Sequence, residues 1–302
     1  MALNDVVLVA TDLSDSADEA IRAAHELAHG KGSKLVVCHV VHEILRASPL
    51  FPQRVQADME ALIHAESRAA AAVEDRVEAL TGRAAEEFEI RIESGAADSA
   101  ILRVAEDVKA TLIVTASRGL SGIARLLLGS VAERIARYAH CSVFIARAHK
   151  KTNKILVATD LSDLSMPAIS LAAEAAKRAS AELVVLYALD VLPSPAMGLT
   201  VPFGGVPIVP PPELLTQMRE GAQTALAAIV ERLDVKAEAR VAEGDAAAAI
   251  IRTAEQMEAD LVVVATHGRT GLSRVALGSV AEKVVRGARS SVLVARSMPH
   301  TE

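Results

Sequence analysis

The sequence predicts an α/β fold built from two tandem doubly wound units, each a parallel sheet with helices on both faces. Three observations lead there. Short apolar runs alternate with helical segments in regular succession. Most of the runs are continuous in hydrophobicity, as expected of strands buried on both faces. The whole order then occurs a second time. Strand followed by helix implies right-handed crossovers, and so a parallel sheet covered on both sides.

The first unit reads as five strands. Val6 to Ala10 is a β-branched run too short for a helix, and it ends in Thr11, Asp12, Leu13, Ser14, Asp15 and Ser16, a cluster suited to capping the next helix. That helix carries Ile21, Ala24, Leu27 and Ala28 at helical spacing and stops at Gly30. Leu35 to Val41 is the second strand, Val55 to Leu80 a long helix, and Glu87 to Glu93 the third strand. The third alternates apolar and charged residues, which predicts an edge position or one solvated face. A helix follows Gly95 as far as Asp107, and Leu112 to Thr115 is the fourth strand. A glycine loop leads from there to a helix near Ser130, and Ser142 to Ala146 is the fifth strand.

ILVATDLSD (Ile155 to Asp163) repeats VLVATDLSD (Val7 to Asp15), and later landmarks recur at the same near-constant shift of 148 or 149 residues. Domains are therefore expected at residues 1–148 and 152–298, joined by a short basic linker. One segment breaks the symmetry. Leu192 to Leu215 holds seven of the eleven prolines, which predicts an irregular excursion without helix, either an ordinary surface loop or a lid or docking surface.

Composition narrows the function. Aromatics are 2% of the residues and Trp is absent, so platforms for stacking bases are hard to build. The net charge of −6 and the lack of a basic stripe also argue against nucleic acid as partner. Cys38 and Cys141 lie in separate apolar runs without metal-ligand or redox spacing, and read as buried small hydrophobes in a reducing compartment. The opening MALNDVVLVATD fits neither a signal peptide nor a membrane span, so a cytoplasmic location is expected.

The chemistry gathers on ASRGLSGIARLLLGS (Ala116 to Ser130) and ATHGRTGLSRVALGS (Ala265 to Ser279). Each follows an apolar strand and opens into a helix, with Gly129-Ser130 or Gly278-Ser279 at the junction, the arrangement of a phosphate cradle. Turn formation and helix capping by the serines are the plainer readings of the same residues. With the strand order 3-2-1-4-5, the reversal between the first and fourth strands brings Asp12 beside the first loop and Asp160 beside the second. Thr11 and Thr159 adjoin these aspartates, and Arg118, His267 and Arg269 add protonatable groups to the loops. Neither a Walker A pattern nor G-x-G-x-x-G is present. His25-Glu26-Leu27-Ala28-His29 matches the zinc motif H-E-x-x-H, but Ala173, Glu174 and Lys177 stand in its place in the second copy. A zinc peptidase is therefore the third reading of the chain.

These residues resemble the universal stress protein family, as two fused domains covering essentially the whole sequence. Its nucleotide-binding members carry G-x2-G-x9-G-[ST]; here Gly119, Gly129 and Ser130, and Gly268, Gly278 and Ser279, match the last three elements, while Ala116 and Ala265 replace the first glycine. The resemblance implies a five-stranded parallel sheet per domain and ATP or ADP at its carboxyl edge, with Mg or Mn accompanying the phosphates. Adenine would meet Asp12 and the backbone of Val40, or Asp160 and Ala188. Ribose would lie against Ala10 and Ala116, or Ala158 and Ala265. Phosphates would meet Gly119, Gly129, Ser130 and Val131, or Gly268, Gly278, Ser279 and Val280. The second site is expected to be the tighter, since Arg269 stands where the first loop has Leu120. The family also suggests that the two domains pair through their fifth strands, with further dimerisation possible. The implied role is that of a stress-response sensor or regulator with at most slow ATP hydrolysis, since neither loop offers a base. A non-nucleotide protein of the same fold, working by dimerisation and partner docking, is the alternative.

Overall fold

The computed structural model describes residues 5–28, 32–41, 52–118, 128–190, 211–266 and 277–296, with backbone alone for 52–62. The chain divides into two compact units that meet between Ala148 and His149. In the first, β1 (Val6–Thr11), α1 (Asp15–Ala28), β2 (Lys34–Val41), α2 (Pro52–Thr81), β3 (Glu89–Ser94), α3 (Ala97–Asp107), β4 (Leu112–Ala116), α4 (Ser130–Tyr138) and β5 (Ser142–Ala146) follow one another. In the second the order is β6 (Lys154–Thr159), α5 (Met166–Ala179), β7 (Glu182–Leu189), α6 (Pro212–Val230), β8 (Ala237–Glu243), α7 (Ala246–Gln256), β9 (Leu261–Ala265), α8 (Ser279–Gly287) and β10 (Ser291–Ala295).

Within the first unit the strands lie in the order β3-β2-β1-β4-β5, and within the second β8-β7-β6-β9-β10. Each strand pairs in parallel with its neighbours; in β1, for example, Val7 lies beside Leu35 of β2 and Leu112 of β4. The two central strands explain the continuous apolar runs: Val7, Leu8 and Val9, like Leu156 and Val157, are sealed from solvent. Helix α1 packs on α2, and α3 on α4, as crossovers of one hand require when they leave the middle strand in opposite directions. The alternating third strand lies at the end of the order, as expected, but none of its residues is fully buried or fully exposed.

Two differences from expectation have local causes. Residues 85–87 form a turn of 3-10 helix, so the third strand begins at Glu89 rather than Glu87. Pro212 starts α6, which thus takes in the last four residues of the proline-rich excursion; proline is tolerated in a first helical turn, where its missing N–H has no partner to lose. Residues 192–210 of that excursion lie outside the described residues.

Candidate functional site

The carboxyl ends of β1 and β6 finish in the same turn. Asp12 Oδ1 accepts from the Ser14 amide at 3.1 Å and the Ser14 hydroxyl at 2.5 Å. Asp160 Oδ1 accepts from the Ser162 amide at 3.0 Å and its hydroxyl at 2.6 Å. One residue earlier, Thr11 and Thr159 turn their hydroxyls to the amides of Leu13 and Leu161, at 3.1 and 3.0 Å. Between these anchors Leu13 and Leu161 take positive φ, 63° and 64°. A leucine there is strained by its Cβ, at a cost of roughly 1–2 kcal/mol, and the flanking hydrogen bonds hold it. Each carboxylate is thereby fixed at the point where the strand order reverses.

Across that point lies the end of β4 or β9. The β1–β4 register, Ala10 beside Thr115, leads directly to Thr11 and Ala116 at the two strand ends. Ser117 then donates its amide to the Ala146 carbonyl at 3.1 Å, and its own carbonyl accepts from the Gly129 amide at 2.8 Å. In the second unit Thr266 binds Ala295 at 3.1 Å and accepts from Gly278 at 2.8 Å. Both ends of each glycine loop are therefore pinned together beside the turn. Gly129 and Gly278 are the residues before the helix, with extended backbone, while Ser130 and Ser279 are its first residues and are exposed. Neither helix has a side-chain cap, so capping does not account for the serine hydroxyls. Gly119, Leu120, His267, Gly268 and Arg269 lie outside the described residues.

Several neighbours of this edge were not singled out by sequence. The His39 ring, in β2 beside Thr11, hydrogen-bonds the Thr11 carbonyl through Nδ1 at 2.9 Å. That bond to a carbonyl needs Nδ1–H. Tyr187 holds the equivalent register beside Thr159. Arg147 follows β5 and is pushed down to about 10 by burial and, secondarily, by the charge of Arg118. Pairs of a cation with Asp join the helices that start at this edge: Arg134 with Asp98 at 2.9 Å, and Lys283 with Asp245 at 3.2 Å. The cations hold equivalent positions in α4 and α8, whereas the aspartate is the second residue of α3 in one unit and the residue before α7 in the other, which is why the repeat conceals the correspondence.

The H-E-x-x-H residues sit elsewhere. Arg83 donates its Nε–H to His25 Nδ1 at 2.8 Å, which faces that nitrogen toward a guanidinium. His29 lies outside the described residues, and among those described no group of three or more His, Cys, Asp or Glu side chains is placed to hold a metal ion. Both cysteines are fully buried, and burial pushes the Cys38 thiol up to about 12, with Glu93 adding to the effect.

Two separate stretches, residues 4–147 and 151–296, match the family model described as the universal stress protein family. The chain belongs to that family. A universal stress protein of Mycolicibacterium smegmatis is 29% identical over 309 residues, covering 96% of both chains. One from Methanocaldococcus jannaschii is 38% identical over 147 residues, 47% of this chain and 81% of its own. A putative universal stress protein from Pseudomonas aeruginosa has a solved structure of the same fold, at a TM-score of 0.66 and 22% identity, covering 98% of this chain and 94% of the other. The tandem arrangement is thus that of universal stress proteins of similar length.

In this universal stress protein the expected residues fall into two groups at each edge. Ala10 and Thr11 end β1 and Asp12 follows it, Val40 lies one residue before the end of β2, and Ala116, Arg118, Gly129, Ser130 and Val131 flank the first loop. Asp160, Thr159 and Ala158 at β6, Ala188 in β7, and Ala265, Gly278, Ser279 and Val280 repeat the placement. The methyl groups of Ala10 and Ala116 are almost wholly buried. Among the described residues no helix is long and apolar enough to cross a membrane.

Proposed function

We propose that the chain is an ATP-binding tandem universal stress protein of the cytoplasm that senses or regulates a stress response. ATP or ADP, with Mg or Mn on its phosphates, binds at the carboxyl edge of each unit. The observation that carries this reading is the pairing, in both units, of a fixed strand-end aspartate with a pinned glycine junction that opens a helix. The aspartate, an acceptor only, suits the amino group of a base. The junction offers main-chain N–H groups, the positive end of a helix and an exposed hydroxyl, which suit phosphate. The metal would come with the phosphates, completing its coordination with water. The role is regulatory, with at most slow hydrolysis.

A second reading, partner docking without nucleotide, is favoured by Ala116 and Ala265, which place a methyl where the family's binding motif has glycine. Denaturing the purified protein and reading the released supernatant at 260 nm separates the two, followed by calorimetric titration with ATP and Mg. Two sites in the parent and one in Gly278→Val are expected. Absence of nucleotide together with no heat on titration sinks the first reading and leaves the second.

A further inference from the structure

The two units share the aspartate turn but differ in the residue that follows it. In the first, Ser14 Oγ lies 2.9 Å from Ser16 Oγ, and the Ser16 hydroxyl donates to the main-chain oxygen of Arg118 at 3.2 Å. Oxygen by oxygen, Asp12 is thus linked through Ser14 and Ser16 to the first residues of the glycine loop. In the second unit Leu164 stands at the position of Ser16, with 46% of its surface exposed. The next hydroxyl there, Ser165, turns inward instead: it is buried, 2.7 Å from Thr159 Oγ1, and donates to the Ser162 carbonyl at 2.8 Å. It secures the start of the helix to its own strand.

We infer that Ser16 is a positioning residue that ties the phosphate loop of the first unit to the base-side aspartate, a coupling that Leu164 removes from the second. This rests on the nucleotide reading of the edge. The tie is reversible by construction. Ser14 and Ser16 bring two hydroxyl protons to three oxygen contacts, and the Asp12 carboxylate, an acceptor only, takes that of Ser14. The Ser16 proton is then divided between Ser14 Oγ and the Arg118 carbonyl. The loop is held by a bond that can be given up without stranding a buried group, since Ser16 is exposed. The first unit should keep polyphosphate longer than its sequence alone suggests, while a ligand without phosphates gains nothing from Ser16.

The test uses the full chain with Gly278→Val, so that the first unit alone is read. Release of a ribose-labelled fluorescent ATP is followed by stopped flow, adenosine affinity by calorimetry, and exchange of the Gly129 amide by hydrogen–deuterium mass spectrometry without ligand. Losing one exposed hydrogen bond, Ser16→Ala should speed ATP release about two- to tenfold and hasten Gly129 exchange. Adenosine affinity should not move. Ser16→Thr, which keeps the hydroxyl, should behave as the parent, and Ser16→Leu as the alanine variant. Parent-like release and exchange in Ser16→Ala would overturn the proposal, as would a Ser16→Thr variant no slower than alanine. Should the parent bind no ATP, the nucleotide reading falls, and Gly129 exchange alone decides whether Ser16 holds the loop.

Discussion

Gly129 and Ser117 meet through a 2.8 Å hydrogen bond that closes the first glycine loop, and a Cβ on Gly129 would lie 3.5 Å from the Ser117 oxygen and 3.7 Å from Arg118 Cα. Those are ordinary contacts, so alanine fits, whereas the branches of valine must displace the main chain that phosphates would approach. Gly129→Ala is expected to fold and to weaken ATP a few-fold. Gly129→Val should cost about tenfold or more, taking overpacking at roughly 1–3 kcal/mol. Calorimetry on both variants, with melting curves to show that each is folded, checks the difference.

Leu13 and Leu161 make a sharper test of the aspartate turn. Since the left-handed conformation is tolerated by glycine and worst for β-branched residues, Leu13→Val should destabilise the first unit by about 1–3 kcal/mol. Leu13→Gly should stay within about 1 kcal/mol of the parent, relief of strain offsetting the greater freedom of the unfolded chain. Urea unfolding gives the comparison; equal losses for valine and glycine would mean that the side chain, not the backbone, matters there.

Asp260 anchors the beginning of the second unit. Its carboxylate receives the Thr152 amide at 2.8 Å and the Asn153 amide at 2.6 Å, while the Thr152 hydroxyl lies 2.9 Å from it and 2.6 Å from the Glu258 carbonyl. Asp260→Ala takes the acceptor from both amides and should cost about 1–3 kcal/mol, read as an earlier transition of the second unit on heating.

Asp245 supplies a pH dependence. Its carboxyl is held below the ordinary value of 3.8, first by the Ala248 amide it caps, with burial opposing, and then by Lys283 and the Ala247 amide. A depressed acid contributes stability above its unfolded value and loses it as pH falls through the folded one. The second unit should therefore lose stability as pH drops below about 4, and Asp245→Asn, which can still cap the helix, should flatten that loss. Melting curves between pH 2 and 6 measure it. An unchanged slope would place the acid sensitivity elsewhere.

Thiol reactivity reads the first unit. With Cys38 and Cys141 both inaccessible and the Cys38 thiol pushed up to about 12, neither should react with a thiol reagent at pH 8 until the unit opens. Labelling in native buffer is expected to be slower by orders of magnitude than in urea.

Much of this architecture was legible because its signals are local. Most of the strands are continuous apolar runs, β5 spans the residues its run marks out, Ser142–Ala146, and the duplication fixes which features belong to the fold. Asp12 and Asp160 stand out in the sequence because each directly follows a strand-forming run in both copies. The left-handed leucines were not, since nothing in a leucine announces positive φ; the conformation comes from the threonine and aspartate around it. Ser130 has the chemistry of a cap in the sequence, yet the preceding glycine takes that position and the serine begins the helix. Arg83 against His25 joins residues 58 apart in sequence, and only the packing of α2 on α1 reveals it.

Both cysteines of the chain lie in its first half and are sealed there, and the chain has no tryptophan. The second half is accordingly a blank background for chemistry and light. A single cysteine introduced at Ser279 would take a dye selectively, and a tryptophan at Tyr187 would be the sole indole emitter, so that events at one edge can be recorded while the other stays dark.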